Sequence, residues 1–243
     1  MTVMGMDRPS TVTPRTKFDW AIYADATFAG LSVLIPIPLV DLFFESLFKR
    51  RMVKTIARRN GRSLPRQALS ELNRWRFGCW PGCLVWPVML VFEFLKRLYR
   101  TVLYFLTIKS ATDQLSLYWR RAFLLDYMVR RGDLDDGETA VMSATALDRV
   151  LKETTISPLL QLAQQIISSV SHVFRTIINW VRRRQEDENV AGTRAQMERS
   201  WADFSAYFAE IAGRYVEIYD EIELERWGGV TIVVHSADAT EEE

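Results

Sequence analysis

Met197-Glu198-Arg199-Ser200-Trp201-Ala202-Asp203-Phe204-Ser205-Ala206-Tyr207-Phe208-Ala209-Glu210-Ile211-Ala212-Gly213-Arg214-Tyr215-Val216-Glu217-Ile218 is the stretch whose spacing decides the fold class. Its large apolar residues fall at Met197, Trp201, Phe204, Phe208, Ile211, Tyr215, Ile218 and then Ile222, in alternating steps of four and three. A helix brings residues at that spacing onto one side, whereas a strand would scatter them over both faces. Working outward, Leu159, Ala163, Ile166, Val170, Val173, Ile177 and Trp180 repeat the same steps, and Ile167, Phe174, Ile178 and Val181 broaden the stripe. A polar connection over 182–192 joins the two. The expectation is a long antiparallel helical hairpin over 157–226, in which each helix buries its stripe in the other.

The rest of the chain is also helix-forming. An apolar helix is expected over about 18–34, stopped by Ile35-Pro36-Ile37-Pro38, since each proline lacks a backbone donor and pushes the residue before it out of the α region. A second helix should run from near Pro38 to Arg59 and end at Asn60-Gly61 in a left-handed cap, with a shorter one over 65–77. A second apolar block starts at Cys79-Trp80-Pro81-Gly82-Cys83 and continues to Ile108. Ser110 ahead of Asp113 reads as a fresh helix start, Gly132 as a helix end, and Ser157-Pro158 as an N-cap with proline in the first turn. Val230-Thr231-Ile232-Val233-Val234 has strand character before an acidic end. The expected class is all-α: apolar helical hairpins, then the heptad hairpin, then a short strand-like tail. The expected divisions are a flexible leader (1–17), an apolar and basic region (18–132), a helical hairpin region (133–227) and the tail (228–243).

Charge is divided sharply. The chain has 31 Lys+Arg and 30 Asp+Glu, yet residues 186–243 hold 15 acidic and 4 basic side chains. Ten of the basic residues fall within 49–76, where Glu71 is the single acid. Such clustering points to negative charge to be met, on anionic lipid headgroups, on nucleic acid or on the chain's own acidic end. The block from Thr27 to Phe48 is apolar, but Pro36 and Pro38 break it, and Asp41 and Glu45 lie within it. The uninterrupted helix before the prolines rises about 24 Å, short of the roughly 30 Å of hydrocarbon. Basic clusters follow both apolar blocks, so two single crossings would set them on opposite sides, against the positive-inside tendency. Hairpins dipping from one face satisfy both constraints. The residues expected to touch lipid are the apolar Leu34, Ile35, Ile37, Leu39, Phe43 and Phe44, with Lys49, Arg50, Arg51, Lys54, Arg58 and Arg59 at the headgroups.

Ala29-Gly30-Leu31-Ser32-Val33-Leu34-Ile35-Pro36-Ile37-Pro38-Leu39-Val40-Asp41, continuing to Met52-Val53-Lys54-Thr55-Ile56-Ala57-Arg58-Arg59-Asn60-Gly61, resembles the EcsC-like and GTPase-associated hydrophobic-hairpin domains of bacteria. The shared features are an apolar helix, a proline-containing turn followed by an acid, and a second helix ending in an Ile-Ala then Gly pattern. The resemblance covers about residues 18–62. It implies membrane association, expected at the cytoplasmic face of a bacterial inner membrane, and no catalytic residues.

Chemistry-bearing residues are few. Cys79 and Cys83 flank Trp-Pro-Gly with three residues between, against two in a redox dithiol, and read as small apolar residues of a turn. His172 has no carboxylate within a helical turn to orient it as a base. The run 133–138 lacks the glycine position and the bidentate Glu of a calcium loop. Gly228-Gly229 does not open a helix as a phosphate loop does. Catalytic, cofactor and metal sites are therefore expected to be absent, with no small-molecule substrate, and nucleic acid is set aside because the basic run continues directly from an apolar helix. The expected function is a membrane-associated helical scaffold or adaptor, not an enzyme. It would bind an anionic face through its hairpins and a protein partner through its acidic helices, with Trp201, Phe204, Phe208, Ile211, Tyr215 and Ile218 as interaction seam. The alternative is a soluble all-α protein that self-assembles without membrane insertion.

Overall fold

The computed structural model of the chain describes residues 12–15, 17–35, 40–73, 100–154, 157–170, 173–183 and 188–238. Among them every regular element is a helix: α1 Trp20–Leu31 with a 3-10 turn Ser32–Leu34, α2 Val40–Arg59, α3 Arg66–Leu72, α4 Arg100–Arg131, α5 Gly137–Glu153, α6 Leu159–Ser169, α7 Val173–Arg183, α8 Glu188–Ser200 and, after a 3-10 turn Trp201–Phe204, α9 Ser205–Asp238. The all-α class holds.

The ends of the helices follow local chemistry. Asp19, in extended conformation, accepts from the backbone N–H of Ala21 at 3.1 Å and starts α1. Ile35, ahead of Pro36, is extended and stops the turn after α1. Two helices end alike. Gly61 at φ 67° closes α2 with bonds from Arg62 N to Ala57 O (2.9 Å) and from Gly61 N to Arg58 O (3.0 Å), and Gly132 at φ 84° closes α4 in the same pattern onto Met128 and Val129. Both are the Schellman arrangement, whose left-handed residue glycine adopts without strain.

Four expectations are corrected. The backbone of α4 runs through Ser110 without a break: no Gly or Pro interrupts the helix there, and Thr112 bonds back to the Ile108 carbonyl at 2.8 Å within it. The stretch 157–184 is two helices, because Val170 is extended between α6 and α7. Ser168 and Ser169 bond back to the carbonyls of Gln164 (2.8 Å) and Ile166 (2.9 Å) just before it, a local competition that serines favour near helix ends. The strand-like 230–234 is helical backbone inside α9. Beta propensity there is overridden, since an isolated strand has no partner for its backbone groups.

The fourth correction is the largest. The two heptad stripes do not pair with each other: α9 packs chiefly on α5 and on α4, while α6 packs on α4 and α8. The seam instead meets aromatic residues of α1 and α4. Trp201 lies 4.2 Å from Tyr23, Phe208 stacks on Phe123 at 4.5 Å, and Tyr215 meets Tyr127 edge-on at 6.1 Å between ring centroids. Helix α4 is thus the axle. It carries α1 and α2 on one side of the sequence and α5, α6 and α9 on the other, and all contribute to one continuous core. At the α1–α4 crossing, a Cβ on Gly30 would stand 2.6 Å from the Cα of Leu115, so glycine sets how closely the two helices approach.

The last residues of the expected leader are docked. Val12 packs against the core, and Arg130 donates to the Thr13 carbonyl at 2.8 Å.

Candidate functional site

On α2, one face turns inward with Phe44, Phe48, Met52, Val53 and Ile56 buried against α1 and α4. The outward face carries Phe43, Arg50, Lys54 and Arg58, all exposed, with half-buried Leu47 between. Their spacing of three, four or seven places them on one line of about 22 Å along the helix, at 1.5 Å per residue. Phe43 is 64% exposed at the apolar start of that line. Among the described residues Arg50, Lys54 and Arg58 make no ion pair.

The other expected lipid contacts divide differently. Ile35 is only 4% exposed and Phe44 is buried, so both are core, and Leu34 is half-buried. Ile37 and Leu39 lie outside the described residues. Lys49 pairs with Glu45 at 2.7 Å and sits over the Tyr118 ring, Arg51 pairs with Asp25 at 3.3 Å, and Arg59 pairs with Asp19 at 2.7 Å. The adjacent Tyr118 hydroxyl donates to Glu45, and burial together with that carboxylate pushes the phenol pKa up.

As an interaction seam, Trp201, Phe208, Ile211, Tyr215 and Ile218 are spent inside the chain, with at most 1% exposed, and Phe204 is half-buried. What α9 offers outward is Glu210, Gly213, Glu217, Asp220, Glu221 and Leu224, an acidic line ending in a leucine that is 72% exposed. Beneath it, the Tyr215 hydroxyl donates to Asp133 at 2.9 Å, Arg131 pairs with the same carboxylate at 3.0 Å, and the Arg131 guanidinium is 5.6–5.9 Å from the ring centres of Tyr127, Tyr215 and Tyr219. Burial and Asp133 hold the Tyr215 phenol well above its usual pKa. This cluster ties α4, the turn after it and α9 together and is largely buried, the Arg131 side chain keeping 13% of its surface exposed.

A cleft of about 850 Å³ opens beside the start of α1. It is walled by Arg15, Lys17, Phe18 and Asp19 before or at the helix start, Trp20 and Asp25 of α1, Arg51, Thr55 and Arg59 of α2, Trp180 of α7, and Arg194 and Glu198 of α8. Asp25 is 3% exposed and held by Arg51 and by the Thr55 hydroxyl at 3.0 Å. Asp19 receives both Arg59 at 2.7 Å and Arg15 at 3.8 Å. Trp20 and Trp180 meet edge-on at 6.4 Å, and each carries a buried indole N–H without a hydrogen-bond partner among the described residues. Sequence reading missed this cleft. The available signal was Asp25, a charge in the middle of an otherwise apolar helix, which demands a cation from elsewhere in the chain.

Among the described residues no group of three or more His, Cys, Asp or Glu is arranged to hold a metal, and no helix is long and apolar enough to cross a membrane. Cys79, Cys83 and His172 lie outside the described residues. No protein-family model, curated protein or solved structure matches the chain.

Proposed function

We propose that the protein is a membrane-surface helical adaptor that acts by binding rather than by catalysis, and that α2 is its lipid-facing element. The observation that carries this reading is the outward line on α2, in which exposed Phe43 leads into Arg50, Lys54 and Arg58, which make no ion pair among the described residues. An aromatic at one end enters the headgroup boundary while cations on the same line meet anionic lipid, each contributing up to about 1 kcal/mol near the surface. The hairpin resemblance over residues 18–62 supports the same location, at a bacterial cytoplasmic face. The acidic line on α9 is left for a protein partner of basic character.

Flotation with vesicles tests it. The chain should bind vesicles containing phosphatidylserine more tightly than neutral ones, and Arg50→Gln with Lys54→Gln and Arg58→Gln should weaken binding at least tenfold. Phe43→Ser should weaken binding to both vesicle types. Equal binding to both, indifferent to all four changes, would remove α2 from the membrane.

A second reading, self-assembly in solution, has its own observation. Phe43 and Leu224 are the large hydrophobic residues exposed among the described ones, and each sits at the end of a line of opposite charge on α2 and α9. The lines run about 22 and 21 Å at 1.5 Å per residue, and antiparallel contact between two copies would match leucine to phenylalanine and acid to base. Sedimentation velocity separates the readings: an oligomer that dissolves at high salt and on Leu224→Ser favours assembly.

A further inference from the structure

We infer that the cleft beside α1 binds a phosphate-bearing group, through Lys17, Arg59 and Arg194. Three features of the cleft lead there. First, its wall carries five cationic side chains, Arg15, Lys17, Arg51, Arg59 and Arg194, against three carboxylates, Asp19, Asp25 and Glu198. The wall is thus net positive, even with Arg15 also paired to Asp126 just outside it at 3.6 Å, and it suits an anion such as a phosphate monoester, which carries about −1.5 to −2 near pH 7.

Second, two of the cations, Arg15 and Arg59, are held in place. Arg59 and Arg15 converge on one carboxylate, Asp19, which fixes the guanidinium of Arg59 at the rim while more than half its side-chain surface stays open. Lys17 and Arg194 are exposed on the same wall. Arginine forks held in place suit phosphate oxygens geometrically, and little order is lost when the ligand arrives. Third, Phe18, Trp20 and Trp180 give the cleft an apolar side, and the indole N–H groups of both tryptophans have no acceptor among the described residues. A volume of about 850 Å³ admits one headgroup or one small phosphorylated molecule and excludes a nucleic-acid duplex.

The ligand chemistry is a phosphoryl group presented either on a lipid headgroup or on a free molecule. The site uses other residues of α2 than the lipid-facing line, so it stands independently of the membrane reading. Isothermal titration of the full chain with tripolyphosphate is the first arm. Saturable binding is expected, and Lys17→Gln with Arg194→Gln should weaken it at least tenfold without lowering the melting temperature of the unliganded protein. Arg59→Gln should do the same, since Asp19 keeps Arg15. The triple variant of Arg50, Lys54 and Arg58 serves as control and should bind tripolyphosphate as the unmodified chain does. The second arm compares vesicles bearing phosphatidylinositol 4-phosphate with phosphatidylserine vesicles of equal total charge. A preference for the phosphoinositide that Lys17→Gln with Arg194→Gln abolishes assigns the site to a headgroup. Tripolyphosphate binding without that preference assigns it to a free ligand. The inference is overturned if tripolyphosphate does not bind, or binds equally well after the cleft substitutions. It is also overturned if binding falls only with the triple control variant.

Discussion

Arg50 and Arg51 are neighbours in one basic run, and nothing in their immediate sequence separates their roles. In the fold they differ completely. Arg51 turns inward to Asp25, while Arg50 points outward with no ion pair among the described residues. Removing one partner of a buried charge leaves the other desolvated without compensation, whereas removing an exposed charge costs little. Arg51→Gln should therefore lower stability by about 1–3 kcal/mol, moderated because Thr55 still donates to Asp25. Arg50→Gln should stay within about 0.5 kcal/mol. Urea unfolding of the two variants side by side checks the contrast, and equal losses would mean that Asp25 does not depend on Arg51.

Single elements depend on their ends. Asp136 starts α5 by accepting from the backbone N–H of Glu138 at 3.0 Å and of Thr139 at 3.1 Å, and these bonds hold its carboxyl below the ordinary value of 3.8. Because the folded pKa is the lower one, the contribution is fully present above the ordinary carboxylate value. It is lost as pH falls from there through the folded pKa. Asp136→Ala should cost about 1 kcal/mol at neutral pH, the usual worth of a lost N-cap. The difference between variant and parent should shrink below about pH 3.8, which chemical unfolding at pH 7 and pH 3 measures directly. A difference that stays constant with pH would mean that the cap acts through its shape and not its charge. The same helix supplies the surface on which α9 lies, so the cap also supports the burial of the seam.

Across the whole molecule, the seam on α9 is a structural component. Phe208 stacks on Phe123 of α4 and on Trp201, and is 1% exposed. Phe208→Ala should cost about 3–5 kcal/mol, a large share of the stability of any domain. Because the contact lies within one chain, the melting temperature should drop by the same amount at every protein concentration. A dependence on concentration would instead place the seam between subunits.

The heptad spacing of the seam, the glycine ends of α2 and α4, the proline stop after α1 and the segregation of charge were all legible from the residues alone. Each rests on a local rule, namely helical period, left-handed φ or like charges close in sequence. The partner of the seam was not legible. An apolar stripe states that it must be covered but not by what, and the many aromatics of α1 and α4 offered a better fit than the neighbouring stripe on α6 and α7. The division of the basic run into inward and outward arginines was hidden for the same reason. It depends on Asp25 and Asp19, 26 and 40 residues before Arg51 and Arg59, reaching α2 once α1 packs against it. The cleft, too, exists only because four separate segments, the start of α1 with the residues before it, α2, α7 and α8, converge there. Local chemistry decided which residues form helices and where these stop, and long-range packing decided which charges are left to meet a partner.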